Sequence, residues 1–133
     1  MRTKHCLTSD DAKKMVEACK AEAAQNNWKV SIAVVDEGGF LLHLERHDGA
    51  NPASAEIAIG KARTSAFSRN PSKMAEDTVK DRPAMVTLIP GRTMVQGGLP
   101  VMYQGECVGG IGVSGVKSHE DEQVAAAGVK LLA

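Results

Sequence analysis

The sequence predicts an α+β fold, an antiparallel sheet of about five strands flanked by helices, and three observations carry that prediction. Apolar residues recur at the helical interval in stretches 9–26, 52–68 and 118–132. Strand patterns 29–36 and 40–46 are joined by Glu37-Gly38-Gly39, and 100–104 and 106–114 by a turn at Gly105, so each pair reads as a hairpin. The regular strand–helix alternation of a parallel doubly wound sheet is absent. With 133 residues the chain fits one domain, residues 1–133, with one core.

Taken in order, Leu7-Thr8-Ser9-Asp10-Asp11 reads as a helix start. Thr8 is the N-cap, Leu7 a staple, and the acids meet the positive end of the helix dipole. Ala12, Met15, Val16, Cys19 and Ala23 form its buried face, and Gln25-Asn26-Asn27 ends it. Residues 29–36 are apolar on both alternations, which suits a central strand covered on both faces. In 40–46 a period of two puts Phe40, Leu42, Leu44 and Arg46 on one face, with Leu41, His43 and Glu45 on the other. Pro52 opens a helix that runs to about Ser68, with Ala55, Ile59, Ala62 and Ala66 as its buried stripe. Asn70-Pro71-Ser72 breaks it, and 73–80 forms a short further helix. Residues 84–89 read as a strand, followed by a loop to Gly98. Ser118 caps a closing helix whose Val124, Gly128, Leu131 and Leu132 face inward.

Composition excludes several functions. Sixteen basic and sixteen acidic residues cancel and only four residues are aromatic, so neither the field nor the stacking platform of a nucleic-acid binder is present. Cys6, Cys19 and Cys107 are odd in number and widely spaced, which fits reduced core thiols rather than disulfides or a zinc site. The start of the chain has no apolar segment of the export type and no apolar run spans a bilayer, so no membrane partner is expected and the cytoplasm is the expected location.

Arg46 ends the more apolar row of its strand, and a guanidinium is rarely buried alone. Two readings stand: an ion pair with Asp36 or Asp48, or a grip on a ligand anion. Lys61 shares a flank of helix 52–68 with Ser54, Ala58 and Ser65, where it either snorkels to water or looks into a pocket. Gly97-Gly98 and the glycine-rich run 109–115 mark places where backbone comes close to a helix or a ligand. Ser114-Gly115, just ahead of a helix, also offers N–H groups to an anion. Residues 110–115 match G-x-G-x-x-G, but the parallel strand and distant acid of a dinucleotide fold are missing. His43 and His47 flank Glu45, and a surface-facing strand row accounts for them without a metal. His5 and His119 sit at element starts and read as solvated.

Segments 34–67 and 97–128 resemble the GlcG/HbpS family, also called the haem-degrading family. Its recurring pieces are all present: Val34-Val35-Asp36-x-Gly-Gly, Arg46-x-Asp-Gly-Ala, Lys61-Ala-Arg-Thr, Gly97-Gly-x-Pro, and Gly109-x-Ile-Gly-Val-Ser-Gly followed by Asp121-Glu122. The resemblance implies a profilin-like antiparallel sheet, assembly into homo-oligomers, and a pocket for haem or another small ligand. On that reading Arg46 and Lys61 neutralise a carboxylate or propionate, while Gly97, Gly98, Ser114 and Gly115 present backbone donors. An enzymatic alternative has Lys61 as base or amine and Arg46 as substrate anchor, acting on a small carboxylate or semialdehyde. A purely structural role predicts no pocket. Some haem-binding relatives use a histidine in or near the first helix; here 9–26 contains none and His5 precedes it.

Overall fold

A computed structural model describes residues 1–132. Its elements run α1 (Ser9–Gln25), β1 (Ser31–Asp36), β2 (Leu41–Arg46), α2 (Ser54–Ser68), α3 (Ser72–Asp81), a 3-10 segment (Pro83–Thr87), β3 (Gly98–Tyr103), β4 (Glu106–Ser114) and α4 (Ser118–Val129). The sheet order is β2-β1-β4-β3, and every pair is antiparallel. α1 and α4 cover one face and α2 the other. No helix among the described residues is long and apolar enough to cross a membrane.

The first helix starts as its sequence dictates. Thr8 Oγ1 accepts the Asp11 N–H (3.0 Å), and the Asp11 carboxylate accepts the Thr8 N–H (2.9 Å), closing a reciprocal capping box. That hydrogen bond holds the Asp11 carboxyl below its ordinary range. Its stabilising contribution is therefore present above the unfolded value and fades as pH falls through the depressed one. Thr8→Ala is expected to cost about 1 kcal/mol in urea unfolding at neutral pH, with a smaller loss in acid.

β1 is central and buried on both faces. Ile32 and Val34 join Met15, Val16, Cys19, Ile111, Val113 and Val124 in the core under α1 and α4. Ala33 and Val35 meet Ala58, Ala62 and Ala66 on the α2 side. The alanine-lined face buries little area per residue, so its cohesion comes from close approach. Cβ atoms on Gly98, Gly110 and Gly112 would stand 2.3, 2.3 and 2.0 Å from the carbonyl oxygens of Lys61, Ala62 and Ala58.

Several expectations are corrected. The sheet has four strands rather than about five, because 84–89 folds into and beyond the 3-10 segment. Pro83 fixes the entry, and the Arg92 guanidinium donates to Met85 O (2.8 Å) and Ile89 O (3.2 Å), turning the run back on itself. Opposite the Val34/Val35 step of β1, β2 bulges with Leu42 as the extra residue, which breaks the alternation, so Leu42 packs on the α1/α4 side and Leu44 on the α2 side. α2 is rotated from the expected stripe: Ser54, Ala58, Lys61, Ala62, Ser65 and Ala66 are buried, whereas Ala55 and Ile59 are only half-buried. Its Asn51 and Pro52 lie before the helix, which starts at Ser54. The closing helix is capped at Lys117, whose N–H the Glu120 carboxylate accepts (3.1 Å), and Leu131 is exposed. Cys19 and Cys107 are buried free thiols, but Cys6 is exposed. Burial pushes the Cys19 thiol up to about 12.

Candidate functional site

The rotation of α2 carries Lys61 inward, where it is 2% exposed. Its ammonium donates to Asp121 Oδ2 and to Val113 O, both at 3.0 Å. Asp121 is itself 1% exposed, in the first turn of α4, and its second oxygen accepts the Val116 N–H at 3.2 Å. Burial pushes the Asp121 carboxyl above its ordinary range, and the Lys61 charge pulls it partly back. The pair ties the helix on one face of the sheet to the helix on the other.

Gly97 and Gly98 pass against Lys61, and Ser114 and Gly115 lie in the chain between Val113, which accepts from Lys61, and Val116, which donates to Asp121. At Gly97, with φ +132°, a Cβ would stand 2.7 Å from Lys61 Nζ, so a side chain is excluded where the backbone passes the ammonium. The Gly97 carbonyl accepts the Val113 N–H (3.0 Å), and the Gly98 N–H donates to Ser72 Oγ (2.8 Å). Ser114 ends β4 opposite Ser31, and Gly115 turns the chain over the Lys29 carbonyl.

Arg46 does not join them. It is exposed on β2, with Ser31 of β1 between it and Ser114 in the sheet ladder. Among the described residues it has no ion-pair partner. The Asp36 carboxylate instead accepts the N–H groups of Gly38 (2.9 Å) and Phe40 (3.0 Å) in the hairpin turn. Arg46 opens on a hollow of about 420 Å³ with Ala24 and Trp28 as its apolar wall and Lys20, Lys29, Glu45, His47 and Asp48 around it. Lys20 is bound to Glu45 at 3.1 Å.

A second region escaped the reading of the residues. The segment before α1 lies across the end of the sheet where the two hairpin turns meet, and it shapes three neighbouring hollows of about 360, 270 and 230 Å³. His5 lines the two larger ones. Its Nδ1 is 3.2 Å from Glu106 Oε2, and its ring stands edge-on to Tyr103 with centroids 4.8 Å apart. A carboxylate only accepts, so this contact selects the tautomer with the proton on Nδ1. The histidine contact holds the Glu106 carboxyl below its usual range. Leu7, Tyr103, Val108 and Leu132 make an apolar wall on one side of His5. Arg2, Lys4 and Arg69 bring positive charge on the other, Lys4 being paired with Glu37. The segment before α1, lying across the sheet end, brings His5 beside Glu106 from 101 positions away, so no local spacing could have revealed it.

Comparison with known proteins agrees with this architecture. A family model described as "Haem degrading protein HbpS-like" matches residues 7–130. Protein GlcG of Escherichia coli K12 is 44% identical over 115 residues, covering 86% of this chain and 85% of that one. An uncharacterized 15.0 kDa protein from the dhaT-dhaS intergenic region of Citrobacter freundii is 33% identical over 123 residues, covering 90% and 87%. A doubly substituted HbpS from Streptomyces reticuli superposes with a TM-score of 0.93 at 35% identity, over 100% of this chain and 91% of that one. The PduOC–haem complex shares the fold, with a TM-score of 0.87 at 23% identity over 95% and 94%.

Proposed function

The chain belongs to the HbpS-like family, and from that premise we propose that it binds haem, or a small molecule sharing haem's carboxylates, in the hollows beside His5. The observation that carries this is the Glu106–His5 contact. An imidazole whose Nδ1 proton a carboxylate accepts turns Nε2 away from that contact, which is how histidine is oriented toward a metal. Haem also needs an apolar wall for its macrocycle and cations for its propionates. Leu7, Tyr103, Val108 and Leu132 fit the first need, and Arg2 and Arg69 the second. A bound haem would supply iron redox chemistry; the residues of this chain bind and orient it.

Hemin added to the purified protein is expected to show a shifted Soret band. His5→Ala should abolish the shift, and Glu106→Gln should weaken binding about 10–100-fold. An unchanged spectrum, or equal affinity for the His5 variant, overturns the assignment.

The carboxylate-anchor role of Arg46 is proposed at its own hollow, favoured by the lack of an acidic partner. A joint role for Lys61 with Gly97, Gly98, Ser114 and Gly115 requires the ammonium to leave Asp121 and Val113, and the Gly98 N–H to leave Ser72. The enzymatic alternative, with Lys61 as base or amine, has the same requirement for Lys61. Homo-oligomer assembly belongs to the same proposal, supported by the exposure of Val86, Leu88 and Ile89 (53, 63 and 41%).

A further inference from the structure

Arg63 lies in the same Lys-Ala-Arg-Thr run as Lys61 but outside both regions described above. Its Nε is buried and finds no hydrogen-bond partner, and among the described residues no carboxylate stands within ion-pairing distance. A shielded charged donor without an acceptor is costly, and the half-buried side chain lines a hollow from which an acceptor outside the chain could reach it.

The surroundings are built around that guanidinium. At Gly91 the backbone takes φ +79°, which favours glycine, and the loop passes beside the guanidinium, a Cβ there standing 2.7 Å from Arg63 Nη1. The loop is pinned to α2: the Thr93 N–H donates to Gly60 O (3.1 Å), and the single Thr64 hydroxyl proton has Gly60 O and Thr93 O, both at 2.9 Å, as its alternative acceptors. Phe67 lies 5.9 Å below the Arg63 guanidinium carbon and steadies its plane. Arg92 donates through Nε and Nη2 to the neutral carbonyls of Ile89 and Met85, which leaves its Nη1 donors free of these contacts, and among the described residues no carboxylate pairs with it. Both arginines face a hollow of about 280 Å³ that Ile57 and Ile59 line on its apolar side and Glu56 edges as an exposed carboxylate.

We propose that Arg63 and Arg92 form a second anion site that takes a small organic carboxylate, its charge on the guanidinium fork and its short apolar body against Ile57 and Ile59. A carboxylate matches the two parallel N–H groups of a guanidinium in one plane, and the isoleucines favour an anion with a carbon chain over an inorganic one. This does not rest on the haem reading, since the site shares no residue with the hollows around His5.

The Arg63 Nε–H resonance of arginine-labelled protein reports the site directly, assigned by its loss in Arg63→Lys. Titration with butyrate is expected to move it saturably, and Arg92→Lys should weaken that binding about tenfold. A resonance that does not respond, or responds equally to chloride at the same ionic strength, overturns the proposal. So does a stronger response to inorganic phosphate than to butyrate. If the resonance changes on dilution alone, the acceptor is a carboxylate side chain of a second copy, and the small-molecule site is again refuted. The titration itself is read on the wild-type protein, so a poorly folded Arg92 variant does not block it.

Discussion

Lys61→Met is expected to lower the free energy of unfolding by about 3–5 kcal/mol at neutral pH, because it strands Asp121 as an ionised carboxylate in a site that water barely reaches. Neither partner can relax to solvent: the two side chains are 3% and 2% exposed. The cost therefore reflects an uncompensated charge rather than the net worth of the ion pair. Replacing both, as Lys61→Met with Asp121→Leu, should recover most of the loss, since two buried charges and their desolvation leave together. Urea unfolding of the two single variants and the double variant measures this. A Lys61→Met loss well under 1 kcal/mol would show that the ammonium is not committed to Asp121, and would favour the role in catalysis or ligand binding.

The pH dependence of that loss has a definite sign. The folded-state pKa of Asp121 is raised above its ordinary 3.8, chiefly by burial. The folded chain therefore binds this proton more tightly than the unfolded chain does. The associated stability is fully present below 3.8 and is lost as pH rises through the raised value. Removing Lys61 raises that value further, so the deficit of Lys61→Met should shrink on acidification. Glu76, Asp77 and Glu106, whose carboxyls are held low by neighbouring basic groups, act in the opposite direction and lose their contribution as pH falls.

Some elements announce their own form locally. The Thr8 cap, both hairpins and the double burial of β1 follow from residues within a few positions of one another. Errors arose where distant groups decide. Residues 84–89 have strand composition, yet Pro83 opens a 3-10 turn there and Arg92 collects carbonyls of Met85 and Ile89. The apolar periodicity of Ala55, Ile59, Ala62 and Ala66 predicts only half of the buried face of α2, since Ala62 and Ala66 are buried beside Ser54, Lys61 and Ser65 rather than Ala55 and Ile59. Lys61 can be buried only because Asp121 meets it from 60 residues away. The hollow beside His5 is formed by the chain's start and both hairpin turns, and nothing in His5-Cys6-Leu7 alone announces it.

Gly112→Ala is expected to cost about 3 kcal/mol or more, and its size measures how closely α2 sits on the sheet. The added Cβ would stand 2.0 Å from Ala58 O and 2.5 Å from Ala62 N, both backbone atoms, so no side-chain rotation can make room. Gly98, its register partner on β3, meets Lys61 O in the same way, so the whole helix must rise to clear either position. Lifting α2 would also pull Lys61 Nζ from Val113 O and Asp121, so Gly112→Ala and Lys61→Met should combine less than additively. Two other glycines separate this packing cost from glycine's general properties. At Gly105 a Cβ meets nothing within 4 Å but φ is +80°, so alanine should cost only about 1 kcal/mol of backbone strain. At Gly38 the nearest atom is 3.4 Å away and no left-handed backbone is required, so alanine should be nearly neutral. Thermal and urea unfolding of the three variants should rank them Gly112, Gly105, Gly38. If the Gly112 variant proves no less stable than the Gly105 variant, α2 is not in backbone contact with β4, and the burial of Lys61 loses its structural cause.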